Sequence, residues 1–286
     1  MNAPAGIDVN DSAHGITVRD RRFGRGAVQE RWWAGGDPIA TAWFNALSAT
    51  FPRGETLFVE AVKAFRADAP PQLAAEIRAF VKQEVNHTRE HLAFNRAAEA
   101  AGYDLSRIDA WVEEMIGRIY RRPKHGWLAV TIALEHFTAM FSHEFLAHPE
   151  HFAGAESEQA ALWRWHAVEE IEHKGVAFDT WNHATRGWTP WRRWKLRSLM
   201  MLIVTGRFFK HRWQDSMNLL AQDGITGWDA RLGLLKYLVI SPGVLRRIFP
   251  AWLAYFKPGF HPWDHDDRAL IGLYEGEFDA ALLPAE

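Results

Sequence analysis

The sequence predicts an all-α fold: a four-helix bundle with a long crossover between helices 2 and 3, followed by a C-terminal helical appendage. Three observations lead there. Apolar residues recur at three- and four-residue spacing between Pro- and Gly-containing breaks, as in Leu73, Ile77, Phe80 and Val81, the period of a helix with one inward face. Two Glu-x-x-His pairs, Glu84/His87 and Glu170/His173, are each preceded, at similar separations, by a Glu on an earlier helix. Between the two halves, residues 103–125 hold one short helical stretch, long enough to return the chain to the end of the bundle where helix 2 began.

Residues 1–30 are polar and Gly-containing, with Arg19, Arg21, Arg22 and Arg25. They read as an arm, poorly ordered or laid over the surface, whose arginines carry little functional signal. The metal-binding bundle is read over 31–187. After Gly35-Gly36-Asp37-Pro38, Asp37 suits a cap and Pro38 the first helical position. Pro52-Arg53-Gly54 is expected to break or kink this helix before Glu55 to about Arg66 resumes, the whole counting as helix 1. Helix 2 starts at Pro70-Pro71 and runs to about Ala100, stopped by Ala101-Gly102. Leu105 to Tyr120 is the crossover helix, about Trp127 to Ala147 is helix 3, and about Glu156 to Ala184 is helix 4.

Residues 188–286 read as a Trp/Arg-rich helical extension packed on the bundle. From Pro190 to Gln214 there are seven basic and no acidic residues, with Trp191, Trp194 and Trp213 flanking the apolar centre Leu199 to Val204. This suits an interfacial helix on an anionic membrane surface, or an accessory helix packed on the bundle or on a second copy in a homodimer. A second apolar pair, Leu232 to Ile240 and Val244 to Phe256, is interrupted by Ser241-Pro242-Gly243 and is expected to form a helical hairpin with the first.

At 286 residues and 48% hydrophobic content the chain can bury a large core. The net charge of −2 argues against general nucleic-acid binding. The absence of cysteine removes disulfides, thiolate metal sites and Cys nucleophiles, and suits a reducing cytoplasm. Met1 to Asn10 lacks a secretory pattern, and no run reaches the roughly 18 apolar residues of a membrane span. A cytoplasmic protein is expected, peripheral at the inner membrane face if 190–214 docks there. Walker, Gly-x-Ser-x-Gly, dinucleotide and His-Glu-x-x-His motifs are all missing.

The chemistry is in the spacing of the acids and histidines. Residues three or four apart share a helix face, so His166, Glu170 and His173 face one way, and Glu84, His87 and His91 continue the apolar stripe of helix 2. Converging carboxylates and imidazoles suit iron, manganese or zinc. Glu135 lies in the apolar run from Gly126 to Phe141, where an unpaired carboxylate is costly to bury. Before Glu84 stand Glu55 and Glu60. In an antiparallel helix pair, level residues are equidistant from the turn, here Asp68-Ala69-Pro70-Pro71. Glu55 and Glu84 centre on it, whereas Glu60 is about five residues too close, an offset of ~7 Å. Glu135 and Glu170 centre equally well on His148 to Gly154.

The expected metal ligands are therefore Glu55, Glu84, His87, Glu135, His166, Glu170 and His173, holding two divalent ions, with Glu60 as runner-up to Glu55. His166 and His91 are the expected catalytic histidines, as a third imidazole ligand, donors behind the ligands, a channel wall, or plain core histidines. In a crossover topology helices 2 and 4 are antiparallel, which brings the two rings within about 10 Å, whereas a separation beyond about 15 Å would reject that topology. His143 and Glu144 read as a second site or as surface groups.

These residues carry resemblances. Two single-Glu helices and two Glu-x-x-His helices resemble the ligand set of ferritin-like di-iron and di-manganese carboxylate bundles. Arg31 to Pro38, Phe51-Pro52-Arg53-Gly54-Glu55, Gln83 to His87 with Arg89-Glu90-His91, Ala133 to Phe137, and Trp165 to Asp179 resemble the bacterial family labelled predicted metal-dependent hydrolases. His166-x-x-x-Glu170-x-x-His173 is similar to the ligand helix of di-iron arylamine N-oxygenases, where a third His joins the ligands. These resemblances imply a dinuclear centre, di-iron first and manganese or zinc next, activating dioxygen or a peroxide on a small or lipid-like apolar substrate. The alternatives are a hydrolase using a metal-activated water and a non-catalytic, metal-stabilised membrane-associated protein.

Overall fold

The computed structural model describes residues 15–24 and 29–280, with side chains as far as Tyr274; Arg25 of the arm lies outside the described residues. Among these residues all regular structure is helical. The helices are α1 (Pro38–Ser48), α2 (Phe51–Lys63), α3 (Pro71–Ala100), α4 (Ser106–Tyr120), α5 (Lys124–Ala147), α6 (Ser157–His173), α7 (Val176–Ala184), α8 (Pro190–Gln222), α9 (Gly227–Val239), α10 (Val244–Ala254) and α11 (Arg268–Ala280). None of the described helices is long and apolar enough to cross a membrane.

The expected helix 1 is two helices, and its break falls at Ala49-Thr50, before the Pro52-Arg53-Gly54 where it was sought. Asp37 caps α1 by accepting from the Ile39 and Ala40 amides. Pro52 lies in the first turn of α2, where its missing N–H leaves no helical bond unmade. Glu55 consequently sits one turn inside α2. The expected helix 4 is also interrupted, at Lys174-Gly175 between α6 and α7. A Cβ on Gly175 would lie 2.7 Å from Trp263 Nε1, and Lys174 Nζ reaches away to Asp267, 2.7 Å from its Oδ2.

Hydrogen bonds fix how the bundle helices run. Along α3 the residues Gln83, His87 and His91 meet, in that order, His173, Glu169 and His166 of α6, so α3 and α6 are antiparallel. The His91 and His166 ring centroids are 4.7 Å apart. Thr88 of α3 donates to Glu55 of α2 at 2.8 Å, and α2 packs on both α3 and α5. The chain passes from α3 to α5 through α4.

Segment 190–214 is the first part of the 33-residue α8. Met201 and Val204 are buried in the same core as Phe44, Phe80 and Phe137, whereas Leu199, Leu202 and Ile203 are exposed. Two of its basic residues are internal clamps. Arg197 donates to the Tyr255 and Lys257 carbonyls, and Arg212 donates to the Ala46 carbonyl, Thr50 and Asp215. Helices α9 and α10 flank Ser241-Pro242-Gly243. Gly243 has φ 78°, and a Cβ there would lie 2.9 Å from the Ile240 carbonyl oxygen, so only glycine fits without strain.

Candidate metal centre

Seven side chains converge between α2, α3, α5 and α6: Glu55, Glu84, His87, Glu135, His166, Glu170 and His173, none more than 4% exposed. They form three overlapping donor groups, each with ligand atoms within 4.8 Å of one another: Glu84–Glu135–His173, Glu84–His87–Glu170 and Glu55–His87–His166. Shared Glu84 and His87 link the groups into one elongated cluster. His173 Nε2 lies 3.2 Å from Glu84, 3.4 Å from Glu170 and 3.7 Å from Glu135. His166 Nε2 and His87 Nδ1 lie 2.9 and 3.6 Å from Glu170 Oε1. Glu60 points to solvent and pairs with Lys63 at 2.9 Å.

Outer hydrogen bonds decide which nitrogen of each ring faces inward. His87 Nε2 is 3.1 Å from Glu169 Oε2; burial raises the Glu169 carboxyl while Arg19 counters it, and once ionised this carboxylate only accepts, so that Nε2 carries the proton and Nδ1 presents a lone pair. Gln83 donates its amide to Thr17 and Glu172, so its oxygen accepts from His173 Nδ1 at 3.0 Å, leaving His173 Nε2 bare. Ser48 donates to Asn95 and therefore accepts from His91 Nδ1 at 2.8 Å. His91 Nε2 must then accept from His166 Nδ1 at 2.6 Å, and His166 also turns a lone pair inward.

Lone pairs thus face carboxylate oxygens across the centre, an arrangement that needs positive charge between them. The same atoms lack partners: both oxygens of Glu84 and Glu135, Glu55 Oε1, Glu170 Oε2, His87 Nδ1 and His173 Nε2 are buried without a hydrogen bond among the described residues. Unpaired buried carboxylates are costly. Burial, aided by neighbouring carboxylates, pushes Glu84 and Glu135 well above the usual carboxylate range. Burial also raises Glu55, against the Thr88 hydrogen bond. Burial acts on Glu170 in the same sense, but in the metal-free protein protons on the His173 and His166 rings supply that positive charge and hold Glu170 well below that range. Burial, with the neighbouring His166, pushes His87 and His91 well below the usual imidazole range. The donor set fits a divalent cation, which would make every one of these groups a partner.

Sequence reasoning missed the residues behind the ligands. Arg19 forms a two-pronged pair with Glu172, at 3.0 and 2.8 Å, and its backbone N–H donates to Glu169 at 2.9 Å. The arm therefore closes over α6, and Arg19, given little weight from sequence, braces the carboxylate network behind His87 and His173. The available signal was the run Glu169-Glu170-Ile171-Glu172 inside a helix buried on every side, where three acids need cations or donors.

The cluster opens through Glu55 and His166 into a cavity of about 900 Å³ between the bundle and helices α4 and α8. Its walls are mainly apolar, with Phe51, Phe58, Ile116, Leu134, Phe137 and Met200 among them. Phe51 packs against both His91 and His166, with ring centroids 4.7 and 5.0 Å away. Elsewhere, Glu144 is buried against His151 and Arg247. His143 and His265 share Asp267 Oδ1, at 2.9 Å each.

The sequence model of a family described as predicted metal-dependent hydrolase matches residues 17–266. The chain belongs to that family. No curated protein and no solved structure matches it. In this member of the predicted metal-dependent hydrolases, the Glu/His cluster supplies groups able to hold divalent metal, as the family description requires. That description favours the hydrolytic alternative over the oxygen-activating one.

Proposed function

We propose that the chain is a metalloenzyme holding two divalent ions between α2, α3, α5 and α6, and that it hydrolyses an ester or amide bond in an apolar, lipid-like substrate bound in the adjoining cavity. The convergence of inward lone pairs and unpartnered carboxylates beside that cavity carries the reading. Glu84, Glu135 and His173 would hold one ion; Glu55, His87 and His166 would hold the other, with Glu170 reaching both groups. Bound there, such ions acidify water and polarise a scissile carbonyl.

The chain's own residues supply the rest. The apolar wall excludes bulk water and orients the substrate. His166 Nδ1, His91, Ser48 and the half-buried Asn95 form a continuous hydrogen-bonded chain that holds the His166 ring with its Nε2 toward the centre. The test is metal analysis with ester and amide assays: bound redox-silent metal with hydrolytic turnover supports the reading.

A second reading, dioxygen or peroxide activation at a di-iron centre, is favoured by the carboxylate-rich donor set on two single-Glu and two Glu-x-x-His helices. Bound iron whose optical spectrum changes with oxygen, without hydrolytic activity, would replace the first reading with this one.

A further inference from the structure

We propose that the molecule taken into the cavity is an anionic amphiphile: an elongated apolar body ending in a carboxylate or phosphate that rests on Arg122 and Arg192. This rests on the reading above, in which the cavity delivers substrate to Glu55 and His166. At about 900 Å³ the cavity stands near the top of the ~300–1,000 Å³ range of small-molecule sites. Filled with water, a mainly apolar wall of that size is poorly solvated, so an apolar body is the favoured occupant.

The charge at the mouth is one-sided. Five arginines line the cavity, and its only acid is Glu55, at the inner end. Two of the five are committed: Arg118 pairs with Glu114, and Arg212 is buried against Asp215. The remaining Arg122, Arg192 and Arg207 are exposed; Arg207 lies roughly 22 Å beyond Arg192 along the axis of α8, so the anion seat is Arg122 and Arg192, on either side of the stacked His125–Trp188 pair. Among the described residues none of the three has a carboxylate partner, and the Arg192 guanidinium lies over Trp188, 4.0 Å from its ring centroid. Guanidinium groups bind carboxylate and phosphate through paired N–H bonds. The same rim repels a cationic head.

The test uses full-length, metal-loaded protein titrated calorimetrically with palmitate, cetyl phosphate, cetyl alcohol and cetyltrimethylammonium, each below its micelle concentration. Both anions should bind at least about tenfold more tightly than the alcohol, the cation more weakly than the alcohol, and added salt should shrink the difference. The tighter anion tells a free fatty acid from a lipid phosphate. Arg122→Ala/Arg192→Ala, at exposed positions where folding is little affected, should abolish the anion preference while keeping alcohol binding. Equal affinity for all four, binding of none, or a preference that survives in the double variant would each overturn the proposal. Metal content of the same samples separates the two readings: anion preference without bound metal removes the metalloenzyme reading alone, and bound metal without the preference removes this one alone.

Discussion

Glu169 Oε2 lies 3.1 Å from Nε2 of His87, and this contact turns the ring so that its bare Nδ1 faces Glu170. Carboxylates behind a metal-ligating histidine commonly contribute 10–100-fold to metal affinity. Glu169→Gln, which preserves shape and removes charge, should therefore weaken metal binding by roughly that factor with the helical content unchanged. Chelator competition measures it, and unchanged affinity would refute the orienting role.

The offset between Glu55 and Glu60 gives a second test. Glu55→Ala should lower bound metal as severely as Glu135→Ala, whereas Glu60→Ala, at a solvated position paired only with Lys63, should leave stoichiometry intact. Metal analysis after gel filtration reads the result; loss on Glu60→Ala alone would place the wrong acid in the centre.

Arg19 should matter beyond its charge. Its guanidinium spans both oxygens of Glu172, a fork that lysine does not reproduce. Arg19→Lys and Arg19→Ala should both lower metal affinity, by similar factors. Full rescue by lysine would show that charge alone suffices.

The metal-free protein should lose stability with rising pH. Burial raises folded-state pKa values of Glu55, Glu84 and Glu135 above the ordinary 4.5. Their contribution is complete below that value and is lost as pH climbs through the folded value. His87 and His91, lowered from 6.5, act oppositely, but their contribution is complete above 6.5. The lowered Glu170 likewise contributes fully above 4.5. Above pH 6.5 the melting temperature of metal-free protein should fall as pH rises, and added metal should flatten the slope. A melting temperature that rises with pH in both states would contradict this.

Gly175→Ala should destabilise the fold by about 1–3 kcal/mol, the usual cost of overpacking, because its new methyl would meet the Trp263 indole. Thermal unfolding of the metal-bound protein measures it.

The convergence of the acids and histidines was legible because it depends on local quantities: helix rise, turn position and the three- and four-residue repeat. Turn-centring sets Glu55 level with Glu84, whereas Glu55 accepts from Thr88, one turn further along α3. The position of the first break was less legible, since Pro52 signals a helix start as readily as a stop. Only the packing of Phe51 on His91 and His166 shows which. Arg19 and Glu172 are 153 residues apart, so no periodicity connects them. Segment 190–214 was read as one apolar centre with basic flanks, yet α8 divides that centre between core and solvent and spends two arginines on internal carbonyls. The cavity required knowing where α4 and α8 lie relative to the bundle, which a single sequence does not encode in any local pattern.

Helix α4 has a second office beyond returning the chain to the start of α5. With α8 it forms the outer wall of the cavity, and the two are fastened where Trp111 stacks on His211 at 4.1 Å and its indole N–H donates to Asp215. Every inward donor of the centre lies on other helices. The outer wall therefore lies on helices that carry none of the donors, whereas the inner wall shares α2 and α5 with Glu55 and Glu135, so substitutions on α4 and α8 can reshape the cavity without touching the cluster. Relatives sharing this centre need not share a substrate.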